Sequence, residues 1–161
     1  MSSQKLEILP AKSADVPLLV RFIAELNEAQ KLKTATLVTE EDLHAALFAE
    51  RPHVEAVIGY LGEEPVGYAM FYGTFSSSTG KPGLHLEDLM VRPQYRGKGF
   101  GKDLMDYVAQ TARERGCKRF EWWVLEWNTK AQEFYKSIGA EHMDYIQIFR
   151  TLPNDPPGNQ P

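Results

Sequence analysis

The chain has 161 residues, a formal net charge of −4 and a hydrophobic fraction of 43%, which together suit one globular domain with a single core. The acidic balance excludes a general binder of nucleic acid or of a membrane surface, because both need basic faces; any anion must be recognised locally. The one cysteine, Cys117, excludes an intrachain disulfide and a cysteine-built metal cage.

In chain order, LEIL at 6–9 is a short apolar strand. Ser13 is placed to cap a helix with Pro17 in its first turn, and Val16, Leu19, Val20, Ile23 and Leu26 then recur at helical spacing. QKLKTAT at 30–36 is a polar connection. Thr39 with Asp42 three residues on predicts a capping box, and Leu43, Ala46 and Leu47 give that second helix its apolar side. VEAVIGYLG at 54–62 and EPVGYAMFYG at 64–73 read as two strands joined by a tight turn. FSSSTGKPG at 75–83 reads as a loop, and LHLEDLMV at 84–91 as a third long strand.

After an irregular RPQYRGKG, the residues Phe100, Leu104, Met105, Val108 and Ala112 share one helix face, with Gly116 as its stop. KRFEWWVLEW at 118–127 predicts a strand. Asn128 is placed to cap a short helix whose face holds Ala131, Phe134, Tyr135 and Ile138, ending at Gly139. YIQIF at 145–149 alternates as a final strand would, and 153–161 lacks core-forming residues and is expected to be a mobile tail. The order β-α-α-β-β-β-α-β-α-β predicts a mixed α/β (α+β) domain over 1–152. The N-terminus lacks a leader's apolar stretch, and no segment has the ~20 apolar residues of a membrane span. A soluble, cytoplasmic protein is expected.

RGKGFGK, residues 96–102, is where the pattern points to chemistry. Gly97, Gly99 and Gly101 alternate with Lys98 and Phe100 between the flanking cations Arg96 and Lys102, at the join of a strand and a helix. Glycine allows φ > 0 and a close backbone approach, and the first N–H groups of a helix have no partner within it. The combination suits a phosphate. It is not a P-loop, and it lacks the spacing of a dinucleotide fingerprint.

YRGKGFG resembles the [Q/R]-x-x-G-x-[G/A] signature of the GCN5-related N-acetyltransferase (GNAT) family, with Arg96, Gly99 and Gly101 at its fixed positions. LHLEDLMVRPQYRGKGFG and LEWNTKAQEFYKSIGA look like segments of its spermidine/spermine (diamine) N-acetyltransferase branch, and the likeness covers roughly residues 5–150. The resemblance implies a mostly antiparallel central sheet with flanking helices and a strand splayed at a β-bulge. It also implies a homodimer, with no metal, that transfers an acetyl group from acetyl-coenzyme A to a small primary amine. The cosubstrate would be held by Arg96, Gly97, Lys98, Gly99, Phe100, Gly101 and Lys102, by the strand Leu89, Met90 and Val91, and by Asn128 and Lys130.

An alkyl amine is mostly ammonium at neutral pH, so a group must accept its proton, and the departing thiolate needs one. The resemblance assigns Glu87 as the proton acceptor, directly or through water, and Tyr135 as the general acid. Asp88 would help place the substrate. Adjacent strand residues point to opposite faces, so Glu87 and Asp88 share a site only if the strand is bulged. Trp122 and Trp123 likewise alternate. One belongs in the core and the other walls the acceptor channel; pattern does not decide, and Trp123 is assigned to the substrate. His85 shares Glu87's strand face and reads as a surface residue or a substrate contact.

The acceptor carries over less well than the cosubstrate. The branch has aromatic and acidic residues after its first helix, where this chain has Ala29 and Gln30 followed by Lys31 and Lys33, cations that oppose a polyamine. A diamine, a polyamine or a lysine-like amino acid stays open. So do a non-catalytic acetyl-coenzyme A sensor and a nucleotide-binding oxidoreductase.

Overall fold

The computed structural model describes residues 5–32 and 36–153. Lys33 and the tail beyond Pro153 lie outside them. The chain forms two compact units, Met1–Asn128 and Thr129–Pro161.

The first unit is built on a five-stranded sheet in the order β1 (Glu7–Pro10), β2 (Glu55–Leu61), β3 (Glu64–Ser76), β4 (Lys81–Val91) and β5 (Arg119–Trp122). Neighbours from β1 to β4 are antiparallel; β4 and β5 are parallel. Parallel neighbours need a crossover, and helix α3 (Phe100–Glu114) supplies it.

Helices α1 (Val16–Ala29) and α2 (Glu40–Phe48) serve one face of the sheet. Val16, Leu19, Phe22 and Leu26 of α1 join Leu43 and Leu47 of α2 in one cluster with Ala56, Ile58, Tyr68, Met70 and Met90 of the strands. Val57, Ala69, Phe71, Leu84 and Leu86 alternate to the opposite face and are buried, as are Phe100, Leu104, Met105, Val108 and Ala112 of α3. The expected capping box of α2 forms: Asp42 N–H donates to Thr39 Oγ1 and Thr39 N–H to the Asp42 carboxylate, both at 3.1 Å. Helix α3 closes with Cys117 N–H on the Ala112 carbonyl and Gly116 N–H on that of Arg113, the paired bonds of a glycine stop.

The start of α1 differs from expectation. A 3-10 turn over Ser13–Asp15 precedes it, so Ser13 lies too early to cap it and instead pairs with His44 Nε2 at 2.9 Å. The Asp15 carboxylate accepts the Lys12 N–H at 2.7 Å.

Three strand boundaries also differ. The expected loop over 75–83 shrinks because Phe75 pairs with Pro82 and Ser76 with Lys81; Gly80 N–H then closes the hairpin on the Ser76 carbonyl at 2.8 Å. Strand β5 stops at Trp122 rather than near 127, because its ladder with β4 ends at the pair Leu86 and Trp122. The final strand expected over 145–149 is absent from the described residues. The second unit holds helix α4 (Thr129–Ser137), closed at Gly139 by Ala140 N–H on the Tyr135 carbonyl. No described helix is long and apolar enough to cross a membrane.

Candidate active site

The site starts from one extra residue in β4. Met70 pairs with Asp88 and Phe71 with Leu86, so Glu87 has no partner on β3. This is a β-bulge, and it cancels the alternation that would separate the two carboxylates. Asp88 falls opposite Met70, on the face that carries Tyr68 and Tyr72. His85, opposite Tyr72, brings its Nε2 within 4.0 Å of Glu87 Oε2. Both carboxylates therefore gather on one face.

Their surroundings differ. The Glu87 side chain is half exposed. Asp88 is largely buried and accepts a hydrogen bond on Oδ2 from the Tyr68 hydroxyl at 2.8 Å. Burial pushes the Asp88 carboxyl up to about 6; the Tyr68 bond pulls the other way and loses, and the charge of Glu87 adds to the rise. The same burial, reinforced by Asp88, holds Tyr68 well above a normal phenol.

His85 is not a surface residue: it is 7% exposed. It stacks on Tyr72 at 5.0 Å between ring centroids and meets the edge of Trp123 at 4.9 Å. Burial lowers its pKa against the pull of Glu87 and Glu121, which keeps the imidazole neutral at pH 7. The geometry separates the tryptophans. Trp122, paired with Leu86, has its ring 5.0 Å from Phe120. Trp123 stands on the His85 and Glu87 side and is 59% exposed.

The bulge also shapes the backbone. Past Leu86, β4 has lost β5 and keeps a ladder on β3 alone. Arg92 N–H bonds the Val66 carbonyl at 2.9 Å. Alternation then turns the backbone groups of Val91 and Leu89 away from β3, toward the side β5 has vacated. Met90 differs from its neighbours: its side chain is in the core and its backbone faces β3.

The loop after β4 has the features of an anion cradle. Gly97 and Gly99 have φ of 74° and 87°, and a Cβ at either would meet nothing within 4 Å. The demand for glycine is therefore conformational rather than one of space. Gly99 is the N-cap of α3, no side chain caps the helix, and its first bond is Asp103 N–H on the Gly99 carbonyl at 3.0 Å. The N–H groups of Phe100, Gly101 and Lys102 precede that bond and point off the helix start. Phe100, 4% exposed, anchors the turn. Arg96 is turned back to the Val91 carbonyl at 2.8 Å, Lys102 pairs with Asp106, and the Lys98 ammonium lies 5.6 Å from the centroid of the Tyr95 ring. The donor set fits a pyrophosphate: unpartnered N–H groups at a helix start with cations beside them.

Asn128 ends the first unit, its N–H on the Leu125 carbonyl. Lys130 and Tyr135 belong to α4 in the second unit, where burial pushes the Tyr135 hydroxyl up to about 12 and its ring lies 5.3 Å from that of Phe134. Among the described residues, no group of three or more His, Cys, Asp or Glu is placed to hold a metal. Sequence reasoning missed Tyr68, Phe22, Arg92 and Glu25, which buttress Asp88. Tyr68, Phe22 and Glu25 read locally as ordinary strand or helix residues and Arg92 as part of an irregular connection, and no spacing signal joins them.

A bulged carboxylate pair, a strand that has lost one neighbour and a glycine-capped helix start are the features that the first unit brings together. Residues 21–140 match the model of the acetyltransferase (GNAT) family, and the chain belongs to that family. Its enzymes use acetyl-coenzyme A as acetyl donor, and this chain is an N-acetyltransferase that resembles the diamine branch. It is 36% identical over 144 residues to the thialysine N-epsilon-acetyltransferase of Sus scrofa, covering 84% of each chain. It is 31% identical to the human spermidine/spermine N(1)-acetyltransferase-like protein 1, covering 83% of this chain and 20% of that one. Among solved structures, an integron cassette protein from the mobile metagenome of V. cholerae superposes with a TM-score of 0.77 at 28% identity, covering 92% of this chain and 93% of that one.

The buried carboxyl sets a pH dependence of stability. The native pKa of Asp88, about 6, lies above the ordinary aspartate value of 3.8, so the native state binds the proton more tightly than the unfolded chain does. Asp88 therefore contributes fully below about pH 4, and the contribution is lost as pH rises through 6. Asp88→Asn, which keeps an oxygen for Tyr68, should be more favourable to stability at pH 8 than at pH 4 by roughly 2–3 kcal/mol in urea denaturation. A mutant-minus-parent difference that stays flat across that range would contradict the assignment.

Proposed function

We propose that this enzyme transfers the acetyl group of acetyl-coenzyme A to the terminal amine of a small lysine-like amino acid or diamine. The observation that carries the reading is the bulge at Glu87, which places two carboxylates of unlike exposure beside a splayed strand edge. The relatives named for thialysine support an amino-acid-like acceptor. Lys31, at the start of the connection that follows α1, opposes a long polycation. An amine panel assayed with acetyl-coenzyme A, following free thiol, tests the reading; turnover of polyamines but of no lysine-like amine or diamine would overturn the acceptor class.

When bound, the cosubstrate supplies an activated thioester carbonyl. The N–H groups at 100–102, with Lys98, would hold its phosphates, and Asn128 and Lys130 would add contacts along it. The N–H groups of Leu89 and Val91 would pair with its extended arm as an added strand does and polarise the carbonyl. Asp88 would hold the acceptor ammonium against the Trp123 face, where an aromatic ring attracts a cation. Glu87, half exposed, would accept the proton that frees the amine lone pair. Tyr135, a phenol at neutral pH whose pKa burial raises further, would donate a proton to the departing thiolate. The family match runs across the boundary at Asn128, which supports residues 1–152 working as one domain.

Three outcomes follow. Gly99→Val should fold yet lose most of the melting-temperature rise that coenzyme A gives the parent, because a branched residue resists φ of 87°; NAD should give no such rise. Undiminished stabilisation of the variant would remove the cradle from the reading. Tyr135→Phe should lower kcat by roughly 10²–10⁴-fold with coenzyme A affinity nearly kept, while the defect of Glu87→Gln should shrink as pH rises and free amine accumulates; near-normal turnover in Tyr135→Phe returns that residue to a packing role. Finally, exposed Tyr145, Ile146, Ile148 and Phe149 support a homodimer, and a monomer mass in light scattering at micromolar concentration would refute it.

A further inference from the structure

Tyr68 is fully buried in β3, a place where phenylalanine would pack as well and leave no hydroxyl to satisfy. Burying a hydroxyl is unfavourable unless it is hydrogen-bonded. Among the described residues its partner is Asp88 Oδ2, at 2.8 Å. The ring is held too. It stacks on Phe22 of α1 at 5.3 Å between centroids with the planes 3° apart. The guanidinium of Arg92 covers the Phe22 ring at 4.7 Å. Arg92 in turn grips Glu25 of α1 through Nε and Nη2 at 3.1 and 3.0 Å, and donates to the Pro65 carbonyl at 3.1 Å. The base of α1, the start of β3 and the end of β4 are thereby locked around one phenol.

We propose that Tyr68 is a positioning residue for the acetyl transfer: its buried hydroxyl fixes one oxygen of Asp88 and leaves the other to receive the acceptor ammonium. The proposal rests on the role given to Asp88 above. Carboxylate torsions are broad, so an unheld Asp88 would point its oxygens over a range of directions. A fixed donor selects one of them. It also favours the ionised carboxyl, which burial opposes. The titratable and charged groups facing this pair are Tyr68 from β3, Glu87 from β4 and Glu25 from α1, with Glu25 itself paired to Arg92.

Tyr68→Phe keeps the stacked ring and removes the donor. With acetyl-coenzyme A saturating, kcat/KM for the amine should fall about 10- to 100-fold, the worth of a hydrogen bond to a charged group, while KM for acetyl-coenzyme A stays within about twofold. The acidic limb of the amine kcat/KM profile should move to higher pH, because Asp88 loses the bond that favours its charge. In an Asp88→Asn background, Tyr68→Phe should change kcat/KM less than about twofold. Equal losses in both backgrounds, with the acidic limb unmoved, would make Tyr68 a packing residue only. If Tyr68→Phe does not fold, the parent labelled with carbon-13 at the tyrosine ζ position decides. The Tyr68 signal should titrate with the midpoint of Asp88 and stop doing so in Asp88→Asn; a signal indifferent to that titration overturns the proposal. A parent that acetylates no amine would instead overturn the underlying reading, while the coupling of Tyr68 to Asp88 in the carbon-13 titration would persist.

Discussion

A single unpaired residue in the middle of a strand governs this molecule. Without the bulge at Glu87, the Leu86–Asp88 segment would keep its pleat, and Glu87 and Asp88 would face opposite sides of the sheet, one toward α3 and the other toward α1. With it, both come to one side. The same irregularity coincides with the end of the β4 and β5 ladder, beyond which the backbone groups of Leu89 and Val91 turn away from β3. Carboxylates and strand edge are thus one event in the chain, not two separate features. A bulge bends and twists its strand locally, and here the sheet is strong on either side of it: long antiparallel pairing with β3, and α3 packed beneath.

The two carboxylates show how environment divides labour between neighbours of similar chemistry. Glu87 is half exposed; Asp88 is held by a buried phenol in surroundings that favour its neutral form. Competing influences act on Asp88, and burial outweighs the hydrogen bond. Such a group is destabilising when ionised, and it persists because the architecture around it is over-determined: an aromatic stack, a forked ion pair and a backbone contact converge on one side chain. His85 adds a neutral imidazole between Tyr72 and Trp123, which gives the Glu87 side of the site a rigid aromatic flank.

Local chemistry made much of this readable beforehand. The capping box at Thr39, the apolar stripe of α3 and the glycine stops at 116 and 139 each depend on residues within one or two turns, and they formed as expected. The positive φ of Gly97 and Gly99 was legible for the same reason. What escaped was set by distant partners. The end of β5 depends on a bulge in another strand. The hairpin after β3 is longer than its polar composition suggested, because Phe75 and Ser76 find partners in Pro82 and Lys81. The burial of His85 comes with the rings of Tyr72 on β3 and Trp123 just past β5. Tyr68 and Asp88 are twenty positions apart, and Arg92 and Glu25 sixty-seven, with no periodicity to link them.

Arg96 has a second consequence, which concerns the company this protein keeps rather than its reaction. A strand edge with open backbone groups is adhesive to any extended peptide, including another copy of itself. The vacated margin of β4 is such an edge. By folding back onto the Val91 carbonyl, Arg96 occupies one of its acceptors and sets a positive charge at its end. Charge on an edge is a common defence against unwanted strand pairing. The margin is therefore guarded at its terminus, where a strand that would continue past Val91 meets a cation.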